Sequence, residues 1–337
     1  MNTLEKAEAL RTSEEVLADF VPQELKEIED PQKTIPRLAK NASLCDKIGS
    51  SVAKIPSSHR LVRGDARSLG TLPSESIDLV LTSPPYWNLK DYESSNGQLG
   101  NISSYEGFVK ELEKVWRECY RLLVPGGRLI CVVGDVCLSR REYGRHAVMP
   151  LHAAIQESCR KIGFDNLAPI LWHKIANASY EISGGSGFYG KPYEPNAVVK
   201  NDVEFILMQR KPGGYRQPSL AARLLSVIPR ALHRTWFQQI WTELPGASTK
   251  QHPAPYPLAL AERLIRMYSF VGDAVLDPFM GLATTNLATA KYGRNSIGVE
   301  IDLTFFQKAC SRLKKQATEL FSNLDVATTT LEEEQSG

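Results

Sequence analysis

Residues 77–87 read Ile-Asp-Leu-Val-Leu-Thr-Ser-Pro-Pro-Tyr-Trp, a short apolar run broken by two hydroxyl residues and two prolines. The stretch from Ile77 to Leu81 has the length and β-branched content of a buried strand. Periodicity alone does not separate such a run from a helix, so the prolines set the boundary. Pro84 and Pro85 each fix φ and lack an N–H, so pairing stops there and carbonyl oxygens are left without ladder partners. A rigid turn with free acceptors, a serine hydroxyl and a flat ring suits a planar group bearing an amine. Taken alone, it would serve equally as a strand terminus with core aromatics.

A second run ends in the same way. Ala274-Val275-Leu276 stops at Asp277-Pro278, and Phe279 to Ala283 leads into a helical pattern opening at Thr284. Strand, tight loop and helix N-terminus together form a polar-ligand site at the carboxyl end of a sheet. Downstream, Ser296 to Asp302 is a third apolar strand ending in acid. In dinucleotide-type folds an acid after the next strand takes ribose hydroxyls.

With the segment His252-Pro-Ala-Pro-Tyr-Pro257, these residues resemble the S-adenosylmethionine-dependent DNA amino-methyltransferases of the circularly permuted (beta) class, whose catalytic half precedes the cofactor half. The likeness spans about residues 60 to 312. Thr82-Ser-Pro-Pro-Tyr86 is similar to the family's catalytic tetrapeptide in its serine form, which implies Ser83, Pro84, Pro85 and Tyr86 as catalytic residues. On that likeness hydroxyl and carbonyl accept the amine protons, and the Tyr86 ring stacks on the base. The implied cofactor contacts are Asp65, His252, the loop residues Asp277, Pro278, Phe279, Gly281 and Thr284, and Glu300. One departure stands out: the family loop has a second glycine where this chain has Ala283, which would set a methyl near the methionine part of the cofactor.

The resemblance further implies an α/β fold, a doubly wound, mostly parallel, seven-stranded sheet of the Rossmann-like type. One strand is antiparallel, assigned to Asp202–Gln209, and the catalytic and cofactor strands are adjacent where strand order reverses. In the resembled family serine in the first tetrapeptide position goes mostly with cytosine N4, and aspartate or asparagine mostly with adenine N6. The partners implied are double-stranded DNA, its target base drawn out of the helix, and a cognate restriction endonuclease in restriction-modification pairs. The expected state is a monomer or homodimer.

The remaining chain is read from pattern and charge. Residues 1–45 alternate acidic and apolar positions, with Leu17, Phe20 and Val21 on one stripe, and are expected to form a helical extension. The methyltransferase domain is expected over 46–315 and a disordered tail over 316–337, where Thr328-Thr329-Thr330 and Glu332-Glu333-Glu334 occur. Apolar strands alternate with helical patterns at 105–123, 150–162, 257–268, 284–292 and 303–313, which argues a parallel sheet covered on both faces. Trp116 falls on the apolar stripe of the first of these helices and is read as core. The polar stretch 88–104 is long enough to form a loop over the site, and the Gly-, Ser- and Tyr-rich segment 174–200 reads as a flexible loop.

Net charge is +2, but residues 1–30 hold nine acids against three bases, so the other 307 residues carry +8. Between Phe205 and His252 seven basic residues (Arg210, Lys211, Arg216, Arg223, Arg230, Arg234 and Lys250) face one acid, Glu243. Interleaved with Tyr215, Trp236 and Trp241, this excess marks about 211–250 as the target-recognition segment, with a solvated basic face as the alternative. The six cysteines and six histidines show no metal-ligand spacing, so no metal is expected. No apolar run is long enough to span a bilayer, and the expected location is cytoplasmic, on DNA.

Other readings stay open on the residues alone. Adenine N6 on DNA or RNA shares the chemistry. A nicotinamide oxidoreductase shares the fold, although no GxGxxG follows a strand here. A catalytically silent nucleic-acid-binding module is the third.

Overall fold

The computed structural model describes residues 10–28, 30–87, 97–174, 201–246, 256–320 and 324–331. Among the described residues three helices come first: α1 (Glu14–Phe20), α2 (Pro31–Leu38) and α3 (Ala42–Val52). Each is capped by a side chain that accepts from an otherwise orphaned N–H: Ser13, Asp30 and Asn41. β1 (Ser57–Arg63) and β2 (Ile77–Thr82) follow, and then the long amphipathic helix α4 (Tyr105–Leu122).

The chain next forms β3 (Leu123–Val133), a small hairpin of β4 (Val136–Leu138) and β5 (Ala147–Met149) with the single-turn α5 (Arg140–Tyr143) between them, and α6 (Leu151–Ile162). β6 (Asp165–His173), β7 (Val203–Arg210), α7 (Leu220–Leu225), α8 (Arg230–Trp236) and β8 (Ile240–Trp241) lead to α9 (Leu258–Tyr268). The last stretch is β9 (Ala274–Asp277), α10 (Thr284–Lys291), β10 (Asn295–Glu300), α11 (Leu303–Leu320) and β11 (Leu324–Thr330).

Nine of these strands form one sheet in the order β11-β1-β10-β9-β2-β3-β7-β6-β8. Only β7 runs against its neighbours, pairing antiparallel with both β3 and β6. β2 is buried along its whole length because both faces are covered. Leu79 and Leu81 pack with Ile130, Val132 and α9; Ile77 and Val80 pack with α4, including the buried Trp116. β9 pairs with β2 through Leu79–Val275 and Val80–Leu276, while β10 lies on one side of this pair and β3 on the other. The sheet order therefore reverses between the catalytic and cofactor strands, where open α/β sheets hold their ligands.

Three expectations are corrected. Among the described residues the sheet has nine strands rather than seven, with β8 and β11 added at its two edges. The tail beyond 316 is not without structure: α11 runs to Leu320, and β11 pairs with β1 from Ser57–Leu324 to Arg63–Thr330. Its valine and threonines are β-branched and suit a half-exposed edge. The boundary drawn at 45 falls inside α3. Leu17, Val21, Leu38, Ile48 and Val52 of the N-terminal helices share one core with Ala222, Leu224 and Leu225 of α7 and with Val271.

Candidate active site

The two motifs meet through one buried carboxylate. Asp277, 1 % exposed at the end of β9, accepts the Thr82 hydroxyl at 2.7 Å and the Phe279 amide at 3.1 Å on Oδ1. Its Oδ2 accepts the Thr285 hydroxyl at 2.5 Å, and Thr285 is bonded in turn to the Tyr256 hydroxyl. Burial raises the Asp277 carboxyl to about 6 against the opposing pull of these donors. With both oxygens so occupied, Asp277 ties the catalytic turn to the cofactor loop and does not line the cleft beside it. Its expected cofactor contact is corrected on that ground. Thr284 is likewise turned away, accepting from Arg312 Nη1 at 3.2 Å.

The cleft encloses about 690 Å³ of empty space, part of it open to solvent. Ser83, Pro85, Asp65, Pro278, Phe279, Gly281 and Glu300 all line it, so most of the expected constellation converges. Gly97 to Gly100, from the stretch read as a covering loop, close another wall. Phe279 is held edge-on by Trp116 at 6.3 Å between ring centroids.

Glu300 closes the lining at the end of β10. Its Oε2 accepts the Gly281 amide and its Oε1 the Asp302 amide, each at 2.9 Å. Burial outweighs these two bonds and lifts the carboxyl to about 7. Each carboxylate oxygen keeps a second acceptor site. Asp65 is held by Arg67, whose backbone amide and Nε each reach Oδ1 at 2.9 Å while Nη1 reaches Glu111 at 2.7 Å.

The catalytic turn is braced from behind. Trp87 adopts φ +42°, a left-handed conformation that costs a bulky residue about 1–3 kcal/mol, and its Nε1 donates to Ile102 O at 2.8 Å. Pro84 and Tyr86 are buried in the ligand-free protein, Tyr86 to 7 % exposure. Its hydroxyl donates to Glu204 Oε1 at 3.1 Å, and Glu204 is paired with Lys174 Nζ at 2.5 Å. Ser83 lines the cleft, where its hydroxyl oxygen offers two acceptor lone pairs. Thr82, Glu204, Lys174 and Tyr256 were not foreseen, because each acts across long sequence separation.

Ala283 is the N-cap of α10 at φ +59°, which explains why glycine suits the position. Its methyl packs with Leu61, Met280, Leu287 and Leu313, not into the cleft.

The basic segment divides. Arg210 pairs with Asp165 at 2.7 Å, Lys211 is buried on Leu123 O at 2.8 Å and Glu75 at 3.1 Å, and Arg216 bridges Asp273 at 2.5 Å and Asp78 at 2.9 Å. By register all three lie at the amino ends of the parallel strands, the pole opposite Ser83. Their charges are neutralised within the fold, so these three are corrected from DNA contacts to structural ions. Arg223 sits on α7 against the N-terminal helices, and Arg230 and Arg234 are exposed on α8 outside the cleft lining. His252, Lys250 and residues 175–200 lie outside the described residues.

Sheet order and cleft together are those of a Rossmann-like methyltransferase. A family model described as DNA methylase (N6_N4_Mtase) matches residues 77–311. The chain belongs to that family and is an S-adenosyl-L-methionine-dependent DNA methyltransferase. The type II methyltransferase M.MjaI of Methanocaldococcus jannaschii is 38 % identical over 280 residues, 74 % of this chain and 88 % of that one. The DNA adenine methyltransferase YhdJ of Escherichia coli is 28 % identical over 270 residues, 75 % of this chain and 82 % of that one. The Thermus thermophilus protein TTHA0409, solved in complex with S-adenosyl-L-methionine, superposes with TM-score 0.65 at 49 % identity, covering 80 % of this chain and 98 % of that one. The residues here fit that cofactor. Glu300 offers two acceptor sites at the cleft, Phe279 a flat apolar wall, and Gly281 an open approach at φ +53°. Among the described residues no His, Cys, Asp and Glu group could hold a metal, and no helix is long and apolar enough to cross a membrane.

Proposed function

We propose that this chain methylates the exocyclic N4 amine of cytosine within a specific site in double-stranded DNA. The observation that carries the reading is Ser83, the neutral first residue of the tetrapeptide, on the wall shared with Phe279, Gly281 and Glu300. When bound, S-adenosyl-L-methionine supplies a methyl group on a sulfonium. Glu300 holds the ribose hydroxyls, Asp65 accepts from the adenine amine, and Phe279 covers the base.

The amine is a weak nucleophile because its lone pair is conjugated with the ring. Ser83 Oγ and the Pro84 carbonyl accept its protons and localise that pair where positive charge develops. As the nitrogen–carbon bond forms, one N–H proton must leave. It passes to Ser83 Oγ as the serine proton moves to Tyr86, three residues on, and the tyrosine proton to Glu204, the last step along a hydrogen bond already in place. Holding amine and methyl in line supplies much of the remaining acceleration. The likeness to a type II methyltransferase supports site-specific action with a cognate restriction endonuclease as companion.

The deciding experiment digests DNA methylated by the pure enzyme and identifies the nucleoside by mass spectrometry; N4-methylcytosine is expected. A second reading, adenine N6, draws on the E. coli relative named for adenine. N6-methyladenine as sole product would establish it in place of the first.

A further inference from the structure

The pole that carries Ser83 has a basic projection outside the segment singled out by charge. From the end of β3 the chain passes Gly134, where a Cβ would stand 3.4 Å from Tyr86 Cε1. It then enters the β4–β5 hairpin, paired from Val136–Met149 to Leu138–Ala147. The root of this hairpin is rigid. Val136 is buried, and Asp135 Oδ1 accepts both the His152 amide at 3.2 Å and its ring Nδ1 at 2.7 Å. That ring stacks on Phe205 at 3.8 Å. The tip is the reverse. Arg140, Arg141, Arg145 and His146 are all exposed, with Tyr143 41 % and Val148 47 % exposed beside them. Glu142 is the only acid between 136 and 150, so three arginines against it leave +2 on a short loop.

Position gives this charge its meaning. β3 pairs with the catalytic strand through Thr82–Cys131, so the hairpin rises beside the turn where a target base must arrive. Arg210, Lys211 and Arg216, by contrast, are neutralised at the far pole. A duplex presents about one phosphate charge per 1.7 Å of axis. Arginine forks meet phosphate oxygens bidentately, and an exposed tyrosine suits the sugar edge. We infer that the β4–β5 hairpin grips the DNA backbone flanking the target base, chiefly through Arg141 and Arg145. The inference rests on duplex DNA being the substrate.

The test is duplex binding by fluorescence anisotropy, using full-length protein with S-adenosyl-L-methionine over a salt series. Arg141→Ala/Arg145→Ala should lower affinity about ten-fold or more at 0.1 M salt and flatten the slope of log affinity against log salt by about 2. Arg141→Lys/Arg145→Lys should keep the wild-type slope, because the charge remains. Melting temperature and cofactor affinity should match wild type in both variants. An unchanged slope in the alanine variant would overturn the inference, and so would an equal loss in the lysine variant. If wild-type protein bound no duplex, the substrate reading itself would fall.

Discussion

Glu300 should make cofactor binding expel a proton. Burial raises its carboxyl from 4.5 to about 7 in the ligand-free protein, against the Asp302 and Gly281 amides that favour its ionised form. Each pH unit is worth about 1.36 kcal/mol, so ionising the buried group costs about 3 kcal/mol. The unfolded chain ionises near 4.5 and the folded chain near 7, so this group makes ligand-free stability fall as pH rises through that window. Ribose hydroxyls that donate to the carboxylate favour the charged form and pull its pKa back down. Wild-type protein should then release about one proton per cofactor near pH 6 and bind up to about ten-fold tighter per pH unit until 7. Calorimetric titration in buffers of different ionisation enthalpy reads the proton count directly. Glu300→Gln, close in shape and without a titration, should lose that release; protons from the ligand's own groups are common to both proteins and cancel. Equal release by the two proteins would refute the placement of the carboxylate on the ribose.

Arg216→Ala should leave Asp273 without its cation while Arg11 still holds Asp78, lowering stability by about 3 kcal/mol in chemical denaturation. Duplex affinity of the folded variant should stay at the wild-type value, and a selective loss of DNA binding would return Arg216 to the interface. Glu204→Gln keeps an acceptor for the Tyr86 hydroxyl but removes the proton sink. Single-turnover methylation should slow about ten-fold or more with cofactor affinity unchanged. A matching loss in cofactor affinity instead would mark Glu204 as purely structural.

Legibility in the sequence followed the range over which each residue acts. The runs at 77–81 and 274–276 are buried on both faces, so local composition sufficed to read them as strands. β11 was missed because Leu324–Thr330 exposes one face, and its polar threonines outweigh its β-branching in a compositional reading. β8 is two residues long, too short for any period to register. The charge window failed for a different reason. It summed cations along the chain, whereas Arg210 is answered by Asp165, Lys211 by Glu75 and Arg216 by Asp273, all well outside that sum. Glu204 lay within a strand read correctly, yet its bond to Tyr86 spans 118 residues. Pairing at that distance is a property of the fold and has no local signature.

The bond between Thr82 and Asp277 spans 195 residues, and this has a consequence in time. A ribosome that has made everything through β8 has already delivered Ser83, Tyr86, Glu204 and the hairpin, but β2 still lacks its neighbour β9 and Thr82 its carboxylate. Contacts of such separation form late, after the entropy of closing a long loop has been met. Methylating competence therefore arrives in one step with the last fifth of the chain. A product released before residue 274 would carry the whole catalytic turn and none of its alignment, unable to mark DNA before synthesis is finished.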